Sequence, residues 1–259
     1  MKSGFLNVAR DSAVVTITIN RPDRKNAMNQ AMWREMADLY THLARDEDVR
    51  VVVLTGSGKD FCAGADINEF DTVRKDAASA RAYEAENSRT FAAIRNCPLP
   101  TIAAIRGICF GGGFGLAASC DIRIADTSAL FSVPAARLGL AYPADAMADI
   151  VNSVGPQLAK YLVYSAARLD AQNALSAGFL MELVPEDLDA HVQHLAAEIA
   201  ANAPLTIRAT KASIRACLTG KEDELAQAVA LGDATFESED YAEGRAAFRE
   251  KRRPVFRGR

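Results

Sequence analysis

The stretch GGGFGLAASCD, residues 111–121, decides what the backbone of this chain can approach. It gathers four of the sixteen glycines of the chain into five positions, between the apolar runs TIAAI at 101–105 and IRIA at 122–125. A strand that ends at glycines before a helix allows close approach and leaves helix N–H groups without intrahelical partners. The pattern therefore predicts a place for an anion, with a simple tight turn as the alternative.

A second stretch, VVVLTGSGKDFCAGADINEF at 51–70, has the same design. A strand runs into a loop, and AGAD at 63–66 can begin another helix with Gly64 between two small residues. One main-chain N–H group from each turn could then converge on a single oxygen. If that oxygen belonged to a thioester carbonyl, the pair would stabilise the negative charge formed on it.

Composition limits the classes of function. The chain has 259 residues, 49% of them hydrophobic and 24% charged, which suits one large globular domain or a domain with an appendage. A net charge of only -3 gives no sign of a nucleic-acid or anionic-membrane surface. No apolar signal region or membrane-length run is present, so we expect a cytoplasmic protein with no nucleic-acid and no membrane partner.

Hydrophobic periodicity predicts an α/β core followed by a mostly helical region that starts near residue 143. The expected strands are, in chain order, FLNVA, AVVTITI, VRVVVLTG, TIAAIRG, DIRIA and LMELVP. Asn29 is placed as the N-cap of the first helix, and AASARAYEAENSRTFAAIRN has the spacing of a second helix. The repeated order of strand, loop, helix and strand favours an α/β fold.

Nucleotide and metal motifs fail on inspection. Around GSGK at 56–59, Val53 stands where a P-loop needs its first glycine, and Asp60 stands where it needs Ser or Thr. Likewise, Leu116 replaces the last glycine of a dinucleotide fingerprint. The five cysteines form no C-x-x-C pair, and His191 and His194 have no evident third ligand, so no metal is expected.

Four stretches in order along the chain resemble the crotonase (enoyl-CoA hydratase/isomerase) superfamily. They are KDFCAGADI, AAIRGICFGGGFGLAASCDIRIA, ALFSVPAARLGL and SEDYAEGRAAFREKRRPVF. The resemblance implies a repeated ββα spiral core over residues 1–195 and a C-terminal helical region over 196–259 that drives assembly into a homotrimer or hexamer. It also implies an acyl-CoA thioester as the ligand, with coenzyme A as part of the substrate and no separate cofactor.

By the same resemblance, the amides of Ala65 and Gly112 would form an oxyanion hole. The implied substrate-binding residues are Arg24, Lys25, Ala63, Asp66, Ile67, Gly111, Phe256 and Arg257. Residues 63–67 would lie along the adenine and pantetheine, Arg24 and Lys25 near the phosphates, and Phe256 and Arg257 near the nucleotide, often that of a neighbouring subunit. A solvated loop and tail remain alternatives for the charged residues, and a loop-holding or capping role remains one for Asp66.

The chain departs from the family pattern where hydratases hold a water between two glutamates. The resemblance places those glutamates at Gly115 and Ala135, and neither residue can take or give a proton. Each positioned acid–base group contributes about 10²- to 10⁴-fold to a rate. Ordinary hydration by that pair is therefore not expected.

Family members with other chemistries take a carboxylate from the turn after L-G-x. The ungapped position is Pro143 here, and the nearest acid is Asp145, which is our candidate catalytic carboxylate. Complementing the dipole of a helix start is the alternative role for Asp145. Tyr142 and Arg137 are polar groups that could face the pocket, with packing and surface charge as their alternatives.

The helix at 77–96 passes over the site in relatives, so Glu84, Glu86 or Ser88 could reach in, with simple solvation as the alternative. Three classes of function stay open. The favoured class is an acyl-CoA lyase or isomerase that stabilises an enolate, with decarboxylase, hydrolase and dehalogenase chemistry also possible for this superfamily. The other two classes are a non-catalytic acyl-CoA binding protein and a scaffold with a vestigial pocket.

Overall fold

A computed structural model describes residues 4–259. Its strands are β1 (Leu6–Asp11), β2 (Val14–Ile19), β3 (Val51–Gly56), β4 (Thr101–Ile105), β5 (Ile108–Phe110), β6 (Ile122–Asp126), β7 (Leu130–Ser132), β8 (Leu169–Asp170) and β9 (Glu182–Val184). Its helices are α1 (Gln30–Leu43), α2 (Phe70–Val73), α3 (Ala77–Arg95), α4 (Gly112–Ser119), α5 (Ala144–Ser165), α6 (Ala171–Ser176), α7 (Leu188–Ala200), α8 (Pro204–Thr219), α9 (Glu222–Phe236) and α10 (Glu239–Glu250). Short 3₁₀ helices cover Pro22–Arg24, Ile67–Glu69 and Pro134–Leu138.

The strands form two sheets. The larger sheet has the order β1-β2-β3-β4-β6-β9, in which only the β1–β2 hairpin is antiparallel. The smaller sheet has the order β5-β7-β8, with β5 and β7 parallel. Every residue of β3 and β4 is buried, as continuous apolar parallel strands covered on both faces should be. The α/β fold class is therefore confirmed.

Helices cover both faces of the larger sheet. On one face, α1 buries Trp33, Met36 and Tyr40 completely within the main core. On the other face, α7 packs Val192 and its apolar neighbours against β2, β3 and β4. Because α7 spans residue 195, the expected boundary there falls inside a sheet-covering helix, and the helices beyond it begin at Pro204.

The last three helices carry a large amount of exposed apolar surface. Side chains more than half exposed in α8, α9 and α10 are Ile214, Leu218, Leu225, Val229, Phe236 and Phe248. Helices α8 and α9 pack mainly on each other. Among residues 4–259, no helix combines the length and the apolar character that crossing a bilayer requires.

Most of the expected local structure is confirmed. The Asn29 side chain accepts the N–H of Met32 at 2.9 Å and caps α1, as its position predicted. Two features were not expected from the sequence. Strands β5 and β7 have only three residues each. Helix α5 is kinked at Gly155, which has a φ of +74° and is followed by Pro156.

Candidate active site

Backbone hydrogen bonds hold the two glycine-containing turns side by side. The bonds run from Phe61 N–H to the Arg106 carbonyl at 2.7 Å, from Cys62 N–H to the Ile108 carbonyl at 2.9 Å, and from Phe110 N–H to the Cys62 carbonyl at 3.0 Å. The loop after β3 therefore runs alongside β5 like a further strand. The AGAD turn and the GGG turn leave this pairing as neighbours.

The turns approach so closely that glycine is required in both. A Cβ atom at Gly64, whose φ is +97°, would lie 3.0 Å from the nitrogen of Gly112 and 2.8 Å from the oxygen of Phe110. A Cβ at Gly112 would lie 2.9 Å from the Trp33 ring and 3.6 Å from the nitrogen of Ala65. The amides of Ala65 and Gly112 are thus adjacent.

The hydrogen bonds of the flanking carbonyls orient these two amides. The Gly64 carbonyl accepts the N–H of Met28 at 2.8 Å, and in a trans peptide the N–H of Ala65 must point the opposite way. The Gly111 carbonyl accepts an N–H inside α4 at 3.1 Å, so the N–H of Gly112 points out of the helix start. Within residues 4–259 neither N–H has an acceptor, and we call these two groups the amide pair.

The charged loop after β2 lies against the AGAD turn. Ala63 donates its N–H to the Lys25 carbonyl at 2.9 Å, and Arg24 and Lys25 are exposed. Ile67 is also exposed, by 56%. The structure therefore brings this group of residues together beside the amide pair.

The carboxylate of Asp66 is engaged in structural contacts. It pairs with Arg21 at 3.0 Å and caps the 3₁₀ helix at Ile67–Glu69 by accepting the N–H of Asn68. Burial opposes its charge, yet the hydrogen bonds from Asn68 and Arg21 hold the pKa of Asp66 below its ordinary value. Its side chain thus acts as the loop-holding group that the sequence offered as an alternative.

The C-terminal residues lie at the other end of the sheet. Arg50, which precedes β3, donates to the Phe256 carbonyl at 2.5 Å, and Asp240 accepts the N–H of Arg257 at 2.6 Å. The AGAD turn follows the opposite end of β3. Phe256 and Arg257 are therefore not brought to the amide pair of their own chain, and a role in a neighbouring subunit stays a prediction.

No proton-transferring side chain stands at positions 115 and 135. Gly115 is buried in α4, and a Cβ there would lie 2.8 Å from the ring of Phe91. That ring packs edge-on against Trp33, with centroids 5.6 Å apart. Ala135 is 3% exposed in a 3₁₀ helix. The space next to position 115 is thus filled by an aromatic ring.

Two other carboxylates lie near each other where α3 meets α5. Glu84 pairs with Arg74 at 2.6 Å, and Asp145, in the first turn of α5, accepts the hydroxyl of Ser88 at 3.1 Å. Burial raises the pKa of Glu84, and the charge of Asp145 acts in the same direction while Arg74 opposes both. Asp145 therefore has a carboxylate neighbour on the helix that the sequence expected to pass over the site.

Tyr142 lies beside the turn that carries the second amide of the pair. Its hydroxyl would be 3.3 Å from a Cβ atom at Gly111, and it has no hydrogen-bond partner within the described chain. Burial raises the pKa of Tyr142, and the charge of Glu84 adds to that shift, so the phenol stays protonated at neutral pH. Tyr142 is thus one of the predicted polar groups that does face the site.

Other candidates do not join this group. Glu86 pairs with Arg34 of α1 at 2.9 Å, and Arg137 is exposed. Arg74 was missed by the sequence reasoning, because no motif surrounds it and its importance comes from the fold, which packs it 4.4 Å over the rings of Phe70 and Tyr83 and pairs it with Glu84. Nowhere in residues 4–259 do three or more His, Cys, Asp or Glu side chains gather as metal ligands.

Comparison with known proteins gives a consistent family. The family model described as enoyl-CoA hydratase/isomerase matches residues 9–259. The 2,3-dehydroadipyl-CoA hydratase of Escherichia coli (strain K12) is 34% identical over 98% of this chain and 99% of its own. The mitochondrial Delta(3,5)-Delta(2,4)-dienoyl-CoA isomerase of Homo sapiens is 35% identical over 78% of this chain and 65% of its own.

A solved structure is also similar over nearly its whole length. The crystal structure of an enoyl-CoA hydratase/carnithine racemase from Magnetospirillum magneticum matches with a TM-score of 0.93 and 39% identity, covering 98% of this chain and 96% of that one. Family match, identity and coverage agree with the arrangement of the two glycine turns. This chain belongs to the enoyl-CoA hydratase/isomerase family within the crotonase superfamily.

Proposed function

We propose that this protein binds an acyl-CoA thioester and stabilises its enolate with the amide pair. The observation that carries the proposal is the adjacency of two backbone N–H groups, from Ala65 and Gly112, that have no acceptor within residues 4–259. Both residues are only partly buried, so a ligand oxygen can reach them. Removing one such donor typically costs about 2.7–4 kcal/mol of transition-state stabilisation.

We further propose that the enolate serves double-bond isomerisation and not hydration. Hydration in this family, by the resemblance described above, needs two acids around a water, and Gly115 and Ala135 supply neither. Isomerisation needs only that a proton leave one carbon and arrive at another. The carboxylates of Asp145 and Glu84 lie on the α3–α5 side of the site, where they can serve such a transfer.

The coenzyme would lie over the loop that contacts the AGAD turn. Arg24 and Lys25 are exposed cations on that loop and suit the phosphates of coenzyme A, while Ala63 to Ile67 offer a partly apolar edge to the pantetheine and adenine. We propose assembly into a homotrimer or hexamer, which the exposed apolar side chains of α8, α9 and α10 support. Phe256 and Arg257 would then serve a neighbouring subunit's nucleotide.

The test combines binding with product analysis. Isothermal titration with saturated acyl-CoA esters of several chain lengths should give heat for at least one length. Incubation with 3-enoyl- and dienoyl-CoA should then give double-bond migration without a hydroxyacyl product, and malonyl- and aroyl-CoA should remain unchanged. Absence of heat with every ester would leave only a scaffold, binding without turnover would leave a binding protein, and a hydroxyacyl-CoA product would contradict isomerisation.

A further inference from the structure

We propose that Glu84 of α3 is the group that moves the proton in this site, with Arg74 as its positioning partner. The inference rests on the proposed function. It assigns a base to a site whose sequence offers none at the two positions where the resemblance places hydratase glutamates, and it prefers Glu84 to Asp145, the carboxylate that the sequence favoured.

One chain of contacts and one electrostatic interaction connect Glu84 to the amide pair. On one side, a Cβ at Gly112 would touch Trp33, whose Nε1 donates to the Tyr83 hydroxyl at 3.0 Å. Arg74 lies 4.4 Å from the centre of the Tyr83 ring and pairs with Glu84 at 2.6 Å. These contacts connect Glu84 to the amide pair through Trp33, Tyr83 and Arg74.

On the other side, the link runs through Tyr142. Its hydroxyl lies beside Gly111, the residue before the second amide of the pair. The charge of Glu84 is close enough to raise the pKa of Tyr142, although burial is the larger cause. Glu84 therefore lies near a phenol that itself borders the amide pair.

The environment of Glu84 suits a group that must accept a proton. Its side chain is 24% exposed, so it is largely withdrawn from water yet open to a ligand. Burial and the Asp145 charge raise its pKa towards the working pH, where a general base is most effective. Arg74 keeps the carboxylate in place and limits the rise.

The neighbouring acids are less suited. Asp145 accepts the Ser88 hydroxyl at 3.1 Å and lies in the first turn of α5, where a carboxylate complements the helix dipole. Asp149 is bound by Arg95 and Ser119. Glu69 accepts the N–H of Gln30 at 2.9 Å at the start of α1. Among these acids, Glu84 has a partly exposed carboxylate and a raised pKa.

The proton transfer balances without a further reactant. In a 3-enoyl thioester, the C–H bond at carbon 2 breaks and its electron pair moves through carbon 1 onto the carbonyl oxygen, which the amide pair stabilises. The proton forms an O–H bond with Glu84. Return of that proton to carbon 4 restores the carbonyl double bond and leaves a 2-enoyl thioester, with Glu84 again a carboxylate.

The test compares Glu84→Gln with Glu86→Gln in the full chain. Glu86 is on the same helix, but it pairs with Arg34 on the face that packs against α1. The probes are a saturated acyl-CoA for titration and the 3-enoyl-CoA of the same chain length for turnover in D₂O. We expect Glu84→Gln to lower kcat by about 10²- to 10⁴-fold, with deuterium uptake at carbon 2 falling in parallel and binding of the saturated ester within twofold. Glu86→Gln should change none of these.

Different failures identify different errors. Turnover of Glu84→Gln within threefold of the unsubstituted protein overturns the role of Glu84, and loss of turnover in Asp145→Asn in the same assay would assign the base to Asp145. A merely structural role would lower ester binding and thermal stability together with kcat, and it too overturns the proposal. If the unsubstituted protein neither binds the ester nor exchanges hydrogen, the proposed function fails, and this inference fails with it.

Discussion

The two sides of the site are built from different materials. The amide pair consists of backbone groups held by hydrogen bonds between the AGAD and GGG turns. The other side, which we call the carboxylate side, consists of the side chains of Glu84 from α3, Tyr142 from the turn before α5 and Asp145 from the first turn of α5. A backbone N–H group is retained in almost any substitution that preserves the turn, whereas a single substitution can remove the chemical group of a side chain.

This difference explains how the chain can keep one half of a family site and alter the other. The amide pair depends on glycine at positions 64 and 112, where a Cβ would collide with main-chain or ring atoms. The chemistry of the carboxylate side depends on which acidic side chains pack near the amide pair. Gly115 and Ala135 leave two positions empty of acids, and Glu84 and Asp145 supply carboxylates from other elements. In the proposed function, polarisation of the ligand and movement of its proton would therefore rest on separate structural elements.

The largest expected effect comes from breaking the amide pair with Gly64→Ala. The new methyl group would lie 3.0 Å from the nitrogen of Gly112 and 2.8 Å from the Phe110 oxygen, so the turns must separate. We expect kcat/KM on the best 3-enoyl-CoA to fall by about 10²- to 10³-fold, the loss typical of one oxyanion donor. Steady-state kinetics with the purified variant measure it.

Gly178→Ala is the matched control. Gly178 also has a positive φ, +77°, but a Cβ there meets nothing within 4 Å. It should lose about 1–2 kcal/mol of unfolding free energy from the left-handed backbone and keep its kcat/KM. If Gly64→Ala behaved like this control, the amide pair would not be the polarising element.

The fold was largely predictable because its signals are local and strong. Continuous apolar runs identify β3 and β4, and the capping side chain of Asn29 marks the start of α1. Strands β5 and β7 were not predicted, because three residues are too few to show a periodic pattern. The kink at Gly155 was not predicted, because the apolar pattern of α5 continues on both sides of it.

Only the backbone side of the site was predictable from the sequence, because the other side depends on how side chains of separate helices pack. Glycine clusters indicate close backbone approach, so the two turns could be identified from the sequence, and the resemblance to the crotonase superfamily then named Ala65 and Gly112 within them. The carboxylate side depends on which turn of α3 faces α5, and sequence spacing left Glu84, Glu86 and Ser88 equivalent. Packing separates them: Glu86 turns to Arg34, Ser88 binds Asp145, and Glu84 meets Arg74.

A smaller effect should follow from placing an acid back at position 115. In Gly115→Glu the new Cβ meets the ring of Phe91 at 2.8 Å, so we expect a loss of about 1–3 kcal/mol in unfolding free energy from overpacking. Denaturant unfolding measures this loss. Hydratase activity on a 2-enoyl-CoA should not appear, because the ring occupies the space that the carboxylate would need.

A double-mutant cycle with Phe91→Ala is the control. The penalty of Gly115→Glu should shrink when the ring is absent. An equal penalty in both backgrounds would show that Phe91 is not what keeps position 115 small.

The smallest effect is a shift in pH dependence that only the carboxylate side can show. Arg74 lowers the pKa of Glu84 against the larger effect of burial, so Arg74→Met should raise that pKa further. Because a base acts as its anion, the acidic limb of kcat, already above the ordinary glutamate value of 4.5, should move to higher pH.

The amide pair has no group that titrates in this range, so binding of a saturated acyl-CoA should keep its pH profile in the same variant. Arg34→Met, which removes the partner of Glu86 from the same helix, serves as the control and should leave the kcat limb in place. If the acidic limb of kcat moved to lower pH in Arg74→Met, that limb would belong to a group other than Glu84. A binding profile that moved together with kcat would mean that the two sides of the site are coupled and do not act as separate elements.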